Sequence, residues 1–363
     1  MRVLYFGADS VSAAVRIRPL LESLCRTGHI EGFACVDRNM ALEGDAAPYD
    51  VVLVHRNPGS RQIAWLQRSG LPFVYDVDDL MLRDPVPVDS RRAREQAAMR
   101  WCLAHAHCIT SPSRRLLRTL ELWTEQPFGE RAVYLPNPGF PPVARPAREV
   151  TRPSLLWVSS HGEHYDEFCD IGAGMAAAAR SIGCEVMLIG RFAESVRAAI
   201  PNHIHVPWLE PDQYRQFIAS GPFIAAAPLP LGLPDTEQEF VECKSDIKAA
   251  QFCSLGIAAA YSPSPPYAES DLPCALVPTN AAADWQDRLM ELAGGFPGEG
   301  MTLAQDPTVV GRGEQIVAQQ LHSVLARVRD ATGRQFFVRS VPTPSVLRRM
   351  EQRFRSLRTR LLS

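Results

Sequence analysis

PNPGFPPVARPAREVTRP, residues 136–153, divides the chain into two halves. It is rich in proline and shows neither helical nor strand periodicity, so it reads as a linker. The same alternation runs on both sides of it. Before it, short apolar runs at 3–7, 32–36, 51–55, 73–77, 109–111 and 132–135 predict strands, and helical spacing recurs over 13–26, 60–68, 90–106 and 113–123. After it, strands are expected at 155–159, 186–189, 204–206, 223–227, 257–261 and 275–278, with helices over 168–182, 211–219 and 245–255. Runs with few polar interruptions suit strands buried on both faces, and strand–helix alternation implies a doubly wound parallel sheet. The expected fold is therefore α/β, with two Rossmann-like domains facing across a cleft. The expected boundaries are 1–140 for the first domain, 141–153 for the linker, 154–340 for the second domain and 341–363 for a terminal helix.

The composition is that of a globular protein: 46% apolar and 21% charged over 363 residues, with a net charge of -2. No basic field argues for nucleic acid as a partner. Nine cysteines without paired spacing argue against a disulfide framework or a zinc site and for a reducing compartment. No apolar run has membrane-spanning length, and MRVLYFGADS lacks a signal-peptide core, so a cytoplasmic location is expected.

Three segments carry candidate chemistry. KSDIKAAQFCSLGI, residues 244–257, places Lys244 and Lys248 one helical turn apart, with Ser245 between them, where helix N–H groups and ammoniums favour an anion such as a diphosphate. PFVYDVDDLM ends a buried strand with Asp76, Asp78 and Asp79. Three carboxylates so close need a cation, a donor-rich loop or open solvent. A Mg²⁺ site, a haloacid-dehalogenase-like phosphatase using Asp76 and Asp78, and a capping turn all fit that stretch. SSHGEHYDEF begins at the end of the second domain's first strand, where Ser159, Ser160 and His161 can approach a phosphate, and Gly190 and Arg191 end the next strand. No metal site is expected.

Taken in order, VYDVDDLM, ITSPSRRL, VYLPNPG, LLWVSSHGEHYD, VMLIGR, FIAAAPLPLG and KSDIKAAQFCSLGIAAAYSPSPPY resemble the GT-B glycosyltransferases of the bacterial "group 1", family 4-like type. The likeness spans most of the chain. It implies a nucleotide-sugar donor held by the second domain and a glycan, lipid-linked or small-molecule acceptor held by the first, as in polysaccharide biosynthesis. It also implies a final helix that crosses back to the first domain, no cofactor or metal, and retention of anomeric configuration. By the resemblance, Lys244, Ser245 and Lys248 meet the diphosphate, and Ser159, Ser160 and His161 line the same pocket with Gly190 and Arg191. Gln251 stands where relatives carry a ribose-binding glutamate. The catalytic candidates are Asp76, Asp78, Asp79, His161 and Lys248. Cys243 falls where a first glutamate is usual, and Ser160 and His161 replace a usual Arg/Lys pair, so a catalytically silent nucleotide-sugar-binding protein is the alternative from another class.

Leu347, Met350, Phe354, Leu357 and Leu361 form one apolar stripe near the C-terminus. Arg348, Arg349, Arg353 and Arg355 lie beside it, so docking on the protein's own core competes with peripheral contact to an anionic inner membrane face.

Overall fold

Two six-stranded sheets, each wholly parallel, organise the protein in the computed structural model. The structure describes residues 1–7, 11–37, 48–82, 90–141, 152–162 and 166–331. Residues 1–329 make one compact unit, and 330–363 contribute only the last two residues of the final helix to what is described. The expected terminal helix at 341–363, with its arginines, lies outside the described residues.

The first domain runs β1 (Arg2–Phe6), α1 (Val11–Val15), α2 (Ile17–Arg26), β2 (Gly32–Val36), β3 (Val51–His55), α3 (Ser60–Ser69), β4 (Phe73–Asp76), α4 (Arg91–His105), β5 (Cys108–Ser111), α5 (Arg114–Thr124) and β6 (Ala132–Tyr134). Its strand order is β2-β1-β3-β4-β5-β6. The chain thus leaves β1 for one side and returns to the other, which opens a crevice beyond the ends of β1 and β3. Every residue of β3 and β4 is buried, as expected of strands covered on both faces. Ser90 and Ser113 cap α4 and α5 by accepting from Ala93 N–H and Leu116 N–H. The helix expected over 13–26 is broken at Arg16. Pro19 accounts for the break: its ring clashes with the carbonyl four residues back, at Val15, yet fits the first turn of a new helix.

The second domain contains β7 (Ser154–Gly162), α6 (Cys169–Ile182), β8 (Val186–Phe192), α7 (Glu194–Ala199), β9 (Ile204–Val206), α8 (Pro211–Ser220), β10 (Phe223–Ala227), α9 (Asp235–Glu242), α10 (Ile247–Ser254), β11 (Ala259–Tyr261), α11 (Pro265–Ala268), β12 (Ala275–Leu276), α12 (Ala282–Gly294), α13 (Gly298–Ala304) and α14 (Pro307–Val310). Its order, β12-β11-β10-β7-β8-β9, puts the reversal between β7 and β10. Gly190 in β8 has φ +99, and a Cβ there would lie 2.0 Å from the Ser159 carbonyl oxygen. Glycine is therefore required by the neighbouring strand itself.

The last helix, α15 (Glu314–Ala331), falls within the span expected for the second domain but packs on the first. Val317, Ala318, Leu321, Val324, Leu325 and Val328 form a stripe buried against β1, β3 and α2. The crossing element in the described structure is thus α15. The linker is also less free than its composition predicts. Gly139 N–H donates to the Arg312 carbonyl, and Phe140 N–H to Ser254 Oγ.

If α15 completes the first domain's core, Leu321→Ala should cost about 2–5 kcal/mol. Urea unfolding would show this as a lowered midpoint with an unchanged m-value.

Candidate active site at the interdomain cleft

The carboxyl ends of three adjacent strands carry a row of polar side chains. His55 on β3 pairs in register with Asp76 on β4, and Asp76 with Thr110 on β5. Asp76 is fully buried, and donors take both its oxygens. Oδ1 accepts from Arg16 Nε at 3.0 Å and lies 2.9 Å from His55 Nδ1. Oδ2 accepts from Arg16 Nη2 at 2.8 Å and Thr110 Oγ1 at 2.7 Å. Burial alone would raise the carboxyl's pKa, but the Arg16 guanidinium and the His55 contact outweigh it and hold Asp76 well below the usual carboxylate range. Because ionised Asp76 only accepts, His55 Nδ1 carries a proton. On the other side of the ring, His55 Nε2 lies 2.7 Å from Ser12 Oγ, on α1.

Asp78 and Asp79 continue outward from this row. Arg56 meets both, with Nε 2.7 Å from Asp78 Oδ1 and Nη2 3.0 Å from Asp79 Oδ2. Burial works to raise the Asp78 carboxyl, while His55, Arg56 and the Ser12 hydroxyl keep it below its ordinary value. Asp79 Oδ1 is 3.9 Å from Lys244 Nζ, which belongs to the second domain. The repulsion expected among three neighbouring carboxylates is thus answered by Arg16, Arg56 and Lys244. Among the described residues, no three of His, Cys, Asp and Glu come together as a metal-binding group.

Across the cleft, the KSDIK segment adopts a different local structure from the one expected. Helix α10 starts at Ile247, and Lys244 lies in the turn after α9, its Nζ over the Phe240 ring. Lys248 stays on α10 and donates from Nζ to the Val158 carbonyl on β7 at 2.7 Å. Burial pushes its ammonium down to about 8, and the Lys244 charge adds to the shift. One of its three N–H donors is used in that bond, which leaves two for an anion at the β7/β10 reversal.

Two arginine-centred links join the halves. Arg16 Nη1 donates to Asn137 Oδ1 at 3.0 Å, and Asn137 Nδ2 donates to Ser245 Oγ at 2.8 Å. Buried Arg312 binds Asp246, Asp271, Tyr134 OH and the Asn137 carbonyl. The crevice lined by Ser113, Arg114, Arg115, Tyr134, Lys244 and Ser245 holds only about 50 Å³. Small-molecule sites usually run to about 300–1,000 Å³.

Several expected site residues change role on this geometry. Asp76, with no free lone pair and no exposure, is positioned to organise its neighbours and not to attack a substrate. That removes the phosphatase reading that used it as nucleophile. Gly190 gives room to a neighbouring strand instead of a ligand. Arg191 is exposed, Gln251 is buried within α10, and Ser159 is half-buried beside Gly190. The side chains of Ser160 and His161 lie outside the described residues. Lys244, Ser245, Lys248, Asp78 and Asp79 are brought to one cleft. The residues that sequence reasoning passed over are Ser12, Arg16, His55, Arg56, Asn137 and Arg312. A signal existed for two of them: His55 closes the otherwise apolar VVLVH, and Arg16 interrupts the apolar spacing of its helix.

Residues 20–138 match a family model described as a glycosyl transferase 4-like domain. No curated protein matches the chain. Among solved structures, a glycosyltransferase from Rickettsia africae is 9% identical with a TM-score of 0.59, covering 90% of this chain and 98% of its own. The HepE protein of Anabaena, solved with UDP and glucose, is 11% identical with a TM-score of 0.51 over 92% and 100% of the two chains. A protein described as a candidate UDP-N-acetylglucosamine 2-epimerase from Listeria monocytogenes is 12% identical with a TM-score of 0.57, over 94% and 99%. At these identities the likeness establishes the fold, which is GT-B.

Removing one partner of the buried Arg16–Asp76 pair should be costly in itself. Asp76→Asn is expected to lose about 3–5 kcal/mol of stability at pH 7. Asp76's folded pKa is depressed, so its contribution is fully present above the unfolded value near pH 4 and is lost as pH falls further. Urea titrations of wild type and variant should therefore converge as the pH is lowered below about 4.

Proposed function

We infer that this chain is a glycosyltransferase that moves a sugar from a nucleotide-sugar donor to an acceptor. The observation that carries the reading is Lys248, half-buried at the β7/β10 reversal beside Lys244 and directed at the carboxyl end of a parallel strand. A partly desolvated ammonium with spare donors and a second cation beside it suits a diphosphate. The match of residues 20–138 favours glycosyl transfer over the epimerisation that the same fold also supports.

As the sugar departs through an oxocarbenium-like state, negative charge grows on the diphosphate. Lys244, Lys248 and the Ser245 hydroxyl stabilise that charge from fixed positions, an effect worth about 3–4 kcal/mol for a single preorganised donor. These side chains supply the positive charge that a divalent metal provides elsewhere, so the proposed reaction is metal-independent. Asp78 and Asp79 face the acceptor from the first domain. The acceptor is proposed to be a glycan, glycolipid or small molecule bearing a free hydroxyl. Peripheral contact with an anionic membrane through Arg348, Arg349, Arg353 and Arg355, and a cytoplasmic location, rest on the sequence and belong to the same proposal.

A thermal-shift screen against UDP, GDP, dTDP and CMP tests the site, since a ligand that binds only the native state raises the melting temperature. One nucleotide should stabilise wild type and fail to stabilise Lys244→Ala/Lys248→Ala; no response in wild type would sink the reading.

Lys248 also sets a pH dependence. A bound diphosphate favours the protonated ammonium, so affinity should hold below pH 8 and fall by about tenfold per pH unit above it. Calorimetry across pH 7–10 would show that decline in wild type but not in Lys248→Met.

A further inference from the structure

A hydroxyl binds a diphosphate by donating its single proton, so whatever Ser245 meets from behind decides whether it can serve. We propose that Asn137 is a positioning residue that fixes the Ser245 hydroxyl as a donor to the diphosphate, its own amide being oriented by Arg16. The inference rests on the transferase reading above. Ser245 lies in the turn between α9 and α10 and lines the crevice with Lys244. Asn137 Nδ2 stands 2.8 Å from Ser245 Oγ, and Asn137 Oδ1 stands 3.0 Å from Arg16 Nη1.

Charge sets the direction of these bonds. The oxygen and nitrogen of an amide are told apart by their partners, and here one partner is a guanidinium, which has donors and no acceptor. Arg16 cannot turn to offer anything else. Its Nε and Nη2 hold the two Asp76 oxygens, Nη2 also holds the Leu135 carbonyl, and Nη1 holds the Pro136 carbonyl and Asn137. The Asn137 atom facing Nη1 is therefore its oxygen, which turns the amide nitrogen toward Ser245. That nitrogen only donates, so Ser245 Oγ accepts and its own proton points elsewhere. One polarity thus runs from the buried ion pair to the cleft: Arg16 donates to Asn137, Asn137 to Ser245, and Ser245 to the ligand.

Two observations separate this from a simple tie between the halves. A tie would hold equally well with Ser245 donating to the amide oxygen, but the hydroxyl's lone pairs would then face an anion. Arg16 excludes that arrangement. The second observation is that the Ser245 proton meets no acceptor among the described residues, although carboxylates surround the turn. Each of these has donors of its own. Asp246 takes Arg312 and Ser270, Glu242 takes Arg115 and Gln238, and Asp79 takes Arg56 and Lys244.

Asn137 is 1% exposed, so water does not compete for its amide, and its carbonyl accepts from Arg312 Nη1 at 3.4 Å. A donor held in this way needs no reorganisation as negative charge builds on the departing diphosphate. The ammoniums of Lys244 and Lys248 attract that charge as point charges whatever their rotation, whereas a hydroxyl does so in one orientation only. Asn137 does not touch the donor. It follows β6, and through it the first domain sets a contact made by the second.

The test is a double-mutant cycle on the full-length protein, read by calorimetry with the nucleoside diphosphate that the thermal-shift screen identifies. Ser245→Ala loses a hydrogen bond to a charged group, so affinity should fall about tenfold or more. Asn137→Ala should weaken binding about three- to tenfold when Ser245 is present, and less than about twofold in the Ser245→Ala background. Asn137→Asp supplies a sign test: its carboxylate still accepts from Arg16 but draws the Ser245 proton inward. Binding should then fall about as far as in Ser245→Ala, and adding Ser245→Ala should cost little more.

A merely structural role for Asn137 would lower affinity equally in both backgrounds, and that result would overturn the proposal. Wild-type affinity in folded Asn137→Asp would do the same. So would unchanged affinity in Ser245→Ala, which decides the matter even if neither Asn137 variant folds. Each of these leaves the transferase reading standing, because wild type still binds the nucleotide. Failure of wild type to bind any nucleoside diphosphate would remove both.

Discussion

The buried pair of Arg16 and Asp76 is the constraint on which the rest of the structure depends. Placing a guanidinium and a carboxylate where neither meets water costs several kcal/mol per ion, recovered only when every donor and acceptor is used. Here they are. Arg16 donates five hydrogen bonds, to both Asp76 oxygens, the carbonyls of Leu135 and Pro136, and Asn137 Oδ1. Asp76 accepts from Arg16, His55 and Thr110. The pair therefore fixes α1 and α2 against β4, sets the ring orientation of His55 and anchors the start of the linker in one act. Satisfied networks of this kind tend to specify a single arrangement, since any alternative strands a buried charge.

Charge spreads outward from that pair in graded exposure. Asp76 is sealed, Asp78 and Asp79 are mostly covered, and Lys244 reaches the surface of the cleft. The gradient separates tasks by environment. Deep groups hold geometry, and shallower ones remain able to exchange partners with a ligand. Lys248 follows the same logic in the second domain, where a carbonyl takes one of its donors and burial weakens its hold on the proton.

Much of this architecture was legible in the residues. All-apolar runs such as VVLV and the small-residue run FIAAA announce buried parallel strands, and the proline-rich break separates two such series. The KSDIK and DVDD segments pointed to the cleft because strand ends are where side chains converge. Register was not legible. That His55, Asp76 and Thr110 stand side by side depends on how β3, β4 and β5 align, which no local pattern encodes. The role of Asp76 was misread for the same reason: a carboxylate beyond a strand looks available until Arg16, sixty residues earlier, is seen to occupy it. The stripe from Val317 to Val328 has clear helical spacing, but periodicity says only that a face is buried and not which sheet receives it.

The crossing of α15 onto the first sheet means that the chain passes between the halves twice, once after Asn137 and once near Arg312. The two passages are tied to each other: Gly139 N–H donates to the Arg312 carbonyl, and Arg312 Nη1 reaches the Asn137 carbonyl. Two passages of the chain laced together at one place restrict how one half can be displaced against the other. The same lacing holds Lys244 near Asp79 and Ser245 on Asn137, so the two half-sites are kept in one alignment.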